Sequence, residues 1–180
     1  MKNNTVLLVV DVQAGIVNDA LYRKAKVLHN IKRLITRCRD TGVEVVYVQH
    51  DDGVGSDMAH GSHGWQIVNE VAPMPGERIF DKRYSSAFVK TGLRDYLQGK
   101  GITRILLVGL KTEYCMDATC KSAFEHGFTV LVPEHTNSTF DNGVLTASDL
   151  VEFYNKRIWH NRFATVLPID KLEQTLSQTP

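Results

Sequence analysis

Three side chains far apart in the sequence could together perform nucleophilic chemistry. Asp11 ends the apolar run TVLLVVD, Lys82 lies in FDKRYSSAF, and Cys115 lies in GLKTEYCMDATCKSA. A thiolate is a nucleophile, a carboxylate can act as its general base, and a nearby cation stabilises it. Each residue also has a structural explanation: a buried thiol, a turn-forming aspartate and a solvated surface lysine. The set predicts a reactive-thiol site only if the fold brings the three together.

The cysteines differ in their predicted surroundings. We expect Thr112 to cap a helix, which would place Cys115 in the first turn, where the helix dipole and free N–H groups lower a thiol pKa. Cys38 and Cys120 lie in helical patterns and are expected in the core. Three cysteines without metal-ligand or disulfide spacing predict free thiols in a reducing, cytoplasmic compartment.

Short apolar runs alternate with helical segments along the chain. Predicted strands cover about 5–11, 43–49, 78–84, 104–110, 128–134 and 163–168, and predicted helices cover about 21–38, 93–101, 113–127, 143–158 and the segment from Asp170. Because parallel neighbours need crossover connections, this alternation predicts an α/β fold. We expect a three-layer α/β/α sandwich with a mainly parallel, Rossmann-like sheet of about six strands.

The strand ends locate the expected site. In open parallel sheets, ligands bind beyond the carboxyl ends of the strands, where strand order reverses. Asp11, Lys82 and the helix of Cys115 each follow a predicted strand, so we expect them at this edge. Gln13 and Thr139 are candidates for the same edge. Four aromatic residues could line a pocket there, or instead belong to the core or a subunit contact: Trp65, Tyr84, Phe88 and Tyr114.

Composition sets the broad class. The chain has 180 residues, of which 43% are hydrophobic, so we expect a single domain over residues 1–180. Its 21 basic and 20 acidic residues leave a net charge of +1, which gives no footprint for nucleic acid. No apolar run approaches the roughly 18 residues of a membrane span, and the N-terminus lacks a signal-peptide cleavage pattern.

Taken in order, LLVVDVQ, DKRYSSAF and GLKTEYCMDATCKSAFEHG resemble the isochorismatase-like cysteine hydrolase superfamily over nearly the whole chain. Nicotinamidases and ureidoacrylate and N-carbamoylsarcosine amidohydrolases belong to this superfamily. The resemblance implies an Asp11–Lys82–Cys115 triad that cleaves an amide-type C–N bond of a small molecule through a thioester. It also implies an oxyanion hole from the backbone N–H groups of Lys111 and Cys115, a cis Leu110–Lys111 peptide, and a homodimer or homotetramer.

The loop after the second predicted strand departs from the metal-binding pattern. Nicotinamidases of this superfamily carry a D-x-H pattern there, which this chain lacks. The loop does contain residue types that suit zinc: His50, Asp51, Asp52, His60 and His63. We expect no metal and no cofactor, and the departure counts against nicotinamidase activity.

Two other functions stay open. An isochorismatase-type ether hydrolase does not strictly need the thiol. In a non-catalytic binding or redox-sensing protein, Cys115 would be oxidised reversibly and no amide would be hydrolysed.

Overall fold

A parallel sheet of seven strands runs through the part of the chain that the computed structural model describes, residues 4–177. The strands are β1 Thr5–Val10, β2 Glu44–His50, β3 Arg78–Lys82, β4 Arg104–Leu110, β5 Thr129–Pro133, β6 Asn137–Ser138 and β7 Thr165–Leu167. Their order is β3-β2-β1-β4-β5-β7, and the two-residue β6 pairs with β4. The predicted α/β fold is confirmed, and β6 is added to the six predicted strands.

Helices cover both faces of the sheet because the strands are apolar on both faces. Helices α1 (Lys24–Thr41) and α5 (Ile169–Ser177) cover one face. Helices α2 (Leu93–Gly99) and α3 (Asp117–Glu125) cover the other. Helix α4 (Ala147–Phe153) continues into a π-helical turn, Tyr154–Trp159. Trp159 packs in the core on the face that α2 and α3 cover. Cys38 and Cys120 are fully buried, one in each core, as predicted.

Strand order reverses between β1 and β4, as in doubly wound folds. The chain leaves β1 toward one edge of the sheet and leaves β4 toward the other, so a crevice opens beyond their carboxyl ends. Among residues 4–177, no helix combines the length and apolar character needed to cross a membrane.

Candidate active site

Parallel strand ends bring the candidate residues to one edge of the sheet. Asp11 directly follows β1, and its N–H donates to the Val48 carbonyl of β2 at 3.0 Å. Its backbone is in the left-handed region with φ of 53°, which aspartate tolerates better than most residues. Lys82 is the last residue of β3 and pairs in register with His50, the last residue of β2. Their side chains therefore leave the sheet side by side.

Cys115 lies on a π-helical turn, Thr112–Met116, that precedes α3. The prediction that Thr112 caps this helix is wrong, because Thr112 lies inside the turn and no side chain caps it. The Thr112 hydroxyl instead donates to Asn137 Oδ1 at 2.9 Å. The pairing of β6 with β4 brings Asn137 within this reach. Cys115 is in the first turn, as predicted.

The ammonium of Lys82 is the centre of the site. Lys82 Nζ lies 2.7 Å from Asp11 Oδ2, and both side chains are fully buried. The same nitrogen lies 3.2 Å from Cys115 Sγ and 2.8 Å from His50 Nδ1. On the far side of the imidazole, His50 Nε2 lies 2.8 Å from Asp52 Oδ1. One buried cation thus contacts a carboxylate, a thiol and an imidazole.

Burial controls the protonation of the thiol. It raises the pKa of Cys115 to about 12, and the Asp11 carboxylate adds to this effect while Lys82 opposes it. Burial also raises the pKa of Asp11 above its ordinary value, again against the effect of Lys82. The expectation of a lowered thiol pKa is therefore wrong. Desolvation of the sulfur, together with the Asp11 carboxylate, outweighs the effect of the neighbouring cation.

The segment after β4 makes a tight turn at the candidate oxyanion hole. The Leu110–Lys111 peptide bond is cis. The Lys111 carbonyl accepts from the N–H groups of Tyr114 and Met116, each at 3.2 Å. This turn keeps the backbone of Lys111 beside Cys115, and both residues line the same cavity.

A cavity of about 330 Å³ opens onto the site, a volume suited to a small molecule. Tyr114 lines it, as the sequence suggested. Sequence reasoning did not propose most of the other wall residues: Gly15, Ile16, His50, Asp52, Met58, Ser85 and Phe140. The strand-end rule that selected Asp11 could also have selected His50, since both follow or end a buried strand.

The other pocket candidates lie outside this cavity wall. Phe88 is in the core, stacked on Phe128 with ring centres 5.9 Å apart. Tyr84 points to solvent, where its hydroxyl accepts from Lys90. Trp65 packs against His60, because its loop folds back over its own residues. Aromatic type alone does not separate a pocket wall from these environments.

Two polar candidates hold loops in place. Gln13 is fully buried; its Nε2 donates to the carbonyls of His50 and Trp65 at 3.0 and 2.7 Å. Its Oε1 accepts from the His50 N–H at 2.8 Å. The Thr139 hydroxyl donates to Glu113 Oε1 at 2.8 Å. Both residues contact the backbone or side chains that support the site, and neither lines the cavity.

The loop with candidate metal ligands has several separate uses. Asp51 accepts from the N–H groups of Gly53 and His60 and pairs with Arg83, so it anchors the loop. The side chain of His63 is exposed. Donor atoms of Asp11, His50 and Cys115 lie within 4.8 Å of one another, a set that suits a metal ion by type. The ammonium of Lys82 contacts all three, so the chain itself supplies the cation there.

Fold and site together define a doubly wound α/β protein with a cysteine, a lysine and an aspartate meeting at the switch point. The Isochorismatase domain family matches residues 5–166, and the chain belongs to this family, as the resemblance predicted. A crystal structure of an isochorismatase family protein, 32% identical, has a TM-score of 0.86 and covers 93% of this chain and 99% of that one.

Several relatives carry names that state an activity. Streptothricin hydrolase of Streptomyces noursei is 35% identical over 137 residues, which are 75% of this chain and 50% of that protein. Maleamate amidohydrolase of Pseudomonas putida is 32% identical over 114 residues, which are 55% of this chain and 54% of that protein. The chain thus spans about half the length of these two proteins.

Proposed function

We propose that this protein is a cysteine hydrolase that cleaves an amide-type C–N bond of a small molecule. The observation that carries the proposal is the contact of one buried ammonium, Lys82 Nζ, with both Asp11 Oδ2 at 2.7 Å and Cys115 Sγ at 3.2 Å. The family membership and the names of the two relatives, a hydrolase and an amidohydrolase, support the same class of reaction.

In the first half-reaction, the thiol proton of Cys115 passes to Asp11 as Sγ forms a bond to the substrate carbonyl carbon. Ligand atoms of Asp11 and Cys115 lie within 4.8 Å of one another, so the carboxylate is close enough to accept this proton as the attack proceeds. The backbone N–H groups of Lys111 and Cys115 stabilise the resulting oxyanion. Asp11 then gives the proton to the leaving nitrogen, the C–N bond breaks, and a thioester remains.

In the second half-reaction, water attacks the thioester carbon and Asp11 accepts one of its protons. The C–S bond breaks, the acid is released, and Asp11 returns the proton to the thiolate. Lys82 contacts both Asp11 and Cys115, so its ammonium balances whichever of the two is negative. Each cycle consumes one water and restores the resting state.

The test combines an amide screen with cysteine variants. Purified protein is incubated with small primary amides and ureido compounds, and release of ammonia or amine is measured. Cys115→Ala should abolish turnover with an unchanged melting temperature, and Cys115→Ser should leave only a small residual rate. Cys120→Ala is the matched control. Cys120 lies on α3 and is buried in the hydrophobic core, so this variant should keep its activity.

Mass spectrometry of rapidly quenched wild-type protein should detect the acyl group on Cys115. A Cys115→Ala variant with the full rate would overturn the thiol mechanism and favour thiol-independent ether hydrolysis. If Cys115 is oxidised reversibly and no amide is hydrolysed, the protein is a redox sensor.

A further inference from the structure

We infer that His50 is a positioning residue that keeps Lys82 aimed at Cys115, and that Asp52 fixes which ring nitrogen faces the lysine. The inference rests on the proposed function, because it explains how the cation stays between the general base and the nucleophile. It extends the site by a pair of residues on the loop after β2.

The buried ammonium of Lys82 has one polar partner for each of its N–H donors. A lysine ammonium has three N–H donors and no acceptor. His50 Nδ1 at 2.8 Å and Cys115 Sγ at 3.2 Å are its hydrogen-bond partners, and Asp11 Oδ2 at 2.7 Å is its ion-pair partner. Its side chain is fully buried, so loss of one acceptor would leave a donor unpaired at considerable cost. With His50 in place, the other two donors are directed at Asp11 and Cys115.

The contacts of the two ring nitrogens of His50 determine the imidazole tautomer. Because Nδ1 faces an ammonium, this nitrogen must carry a lone pair, and the proton of the neutral ring must be on Nε2. Nε2 lies 2.8 Å from Asp52 Oδ1, which accepts that proton in a hydrogen bond. Asp52 is about half exposed and His50 is mostly buried, with side-chain exposures of 48% and 17%. The carboxylate therefore selects the tautomer from the solvent side.

The backbone of His50 is anchored on both its N–H and its carbonyl. Gln13 accepts from its N–H and donates to its carbonyl, at 2.8 and 3.0 Å. The residue also lies opposite Lys82 in the register of β2 and β3. Backbone and ring are thus both held, which is what a positioning residue requires.

The test uses amide side chains that imitate one ring nitrogen at a time. In His50→Asn, the side-chain oxygen lies near the position of Nδ1 and can accept from Lys82. In His50→Gln, the amide lies near the position of Nε2 and reaches Asp52 instead. The readout is the rate of Cys115 alkylation by iodoacetamide at constant pH, mapped by mass spectrometry. It needs no substrate.

His50→Gln should slow alkylation by about tenfold or more, since a buried lysine donor loses its partner, whereas His50→Asn should stay within about threefold of wild type. With any amide that the protein hydrolyses, kcat should likewise fall more in His50→Gln than in His50→Asn, and KM should change little. His63→Gln, an exposed histidine of the same loop, is the control and should match wild type. Equal rates for the Asn and Gln variants would overturn the inference.

A second measurement needs no variant. ¹⁵N NMR of histidine-labelled wild-type protein at neutral pH should show His50 with a protonated Nε2 and an unprotonated Nδ1. A proton on Nδ1 would overturn the inference. These outcomes are separable from failure of the proposed function: a protein that hydrolyses no amide can still show, by alkylation and NMR, whether His50 holds Lys82.

Discussion

Gly109 of β4 lies so close to Val10 of β1 that a Cβ atom on Gly109 would be 2.0 Å from the Val10 carbonyl oxygen. Its φ of +136° is also one that residues with a side chain rarely adopt. The close approach occurs where strand order reverses. Val10 precedes Asp11 by one residue, and Gly109 precedes Lys111 by two residues. Glycine at this position therefore lets the two strands converge on the site.

Gly109→Ala should lower the free energy of unfolding by about 3 kcal/mol or more, because neither backbone can yield cheaply to a Cβ atom. Chemical denaturation measures the loss. Gly99→Ala is the control, because a Cβ there meets nothing within 4 Å, and it should leave stability unchanged or slightly raised. A fully stable Gly109→Ala protein would mean that β1 and β4 are farther apart at this point.

Lys82→Met should destabilise the protein in a pH-dependent manner. Removing one partner of a buried ion pair leaves an uncompensated charge on Asp11, which costs about 3–5 kcal/mol at neutral pH. Lys82 opposes the effect of burial on the pKa of Asp11, so its loss raises that pKa further. A carboxyl group whose pKa is raised in the folded state destabilises the protein as the pH rises. The loss of stability in Lys82→Met should therefore shrink as the pH falls toward 3.8, the ordinary pKa of aspartate.

The double variant Asp11→Asn/Lys82→Met is the control for this prediction. It removes both charges, and asparagine also tolerates the left-handed backbone of position 11. We expect it to recover most of the lost stability and to lose the pH dependence. A Lys82→Met defect of equal size at every pH would indicate lost packing instead of an unpaired charge.

Alkylation of Cys115 should titrate above the value of about 8.5 for a free thiol, because burial raises its pKa to about 12. Asp11→Asn should move the midpoint to lower pH, since the carboxylate is the second cause of the rise and its loss favours the thiolate. Iodoacetamide labelling followed by mass spectrometry measures both midpoints. A wild-type midpoint below that of a free thiol would contradict the dominance of burial.

The sequence predicts the location of the site better than its details. Apolar runs and the rule for parallel strand ends indicate that Asp11, Lys82 and Cys115 share one edge, because this depends on connectivity alone. The contact of His50 with Lys82 depends on the register between β2 and β3, which the apolar pattern does not determine. The thiol pKa depends on burial by distant segments, so the local helix-end argument gave the wrong direction.

Aromatic residues illustrate the same limit. Phe88 lies in the motif DKRYSSAF, and Tyr114 lies in the motif GLKTEYCMDATCKSAFEHG. One packs in the core and the other lines the cavity, because only the tertiary arrangement decides which face of each segment meets another layer. Thr112 likewise has the residue type of a helix cap, but its hydroxyl donates a hydrogen bond to the buried Asn137 on β6.

Glu77→Gln should weaken the connection between α1 and the turn before β3. Arg39 donates to both Glu77 oxygens, at 2.9 and 2.8 Å, and the Met74 N–H donates at 2.8 Å. Burial acts to raise the pKa of Glu77, but these hydrogen bonds outweigh it and hold the pKa below 4.5. The variant should lose about 1–3 kcal/mol at neutral pH.

A carboxyl group whose pKa is lower in the folded state stabilises the protein at pH values above its ordinary pKa. This stabilisation is lost as the pH falls through the pKa of the folded state. The difference between wild type and Glu77→Gln should therefore vanish in acid well below pH 4.5. Thermal unfolding at neutral and acidic pH tests this, with Glu70→Gln on an exposed residue as the control. A difference that persists in acid would rule out the charge as its cause.

Lys111→Met should alter substrate preference. The Lys111 ammonium lies 4.6 Å from the centre of the Tyr114 ring and 5.7 Å from that of Phe140, and both rings line the cavity. We expect this cation to bind a negative group on the substrate. Its loss should raise KM about tenfold or more for amides that carry a carboxylate, the value of one charge-assisted hydrogen bond, and leave uncharged amides unaffected.

Methionine keeps the length and most of the packing of Lys111, so the variant isolates the charge. Lys90→Met is the matched control: Lys90 also lies over a tyrosine ring, 5.3 Å from the centre of Tyr84, but outside the cavity wall. Steady-state kinetics on paired amides with and without a carboxylate gives the comparison. Equal changes of KM for both kinds of amide would mean that Lys111 supports the cavity wall without binding the substrate's charge.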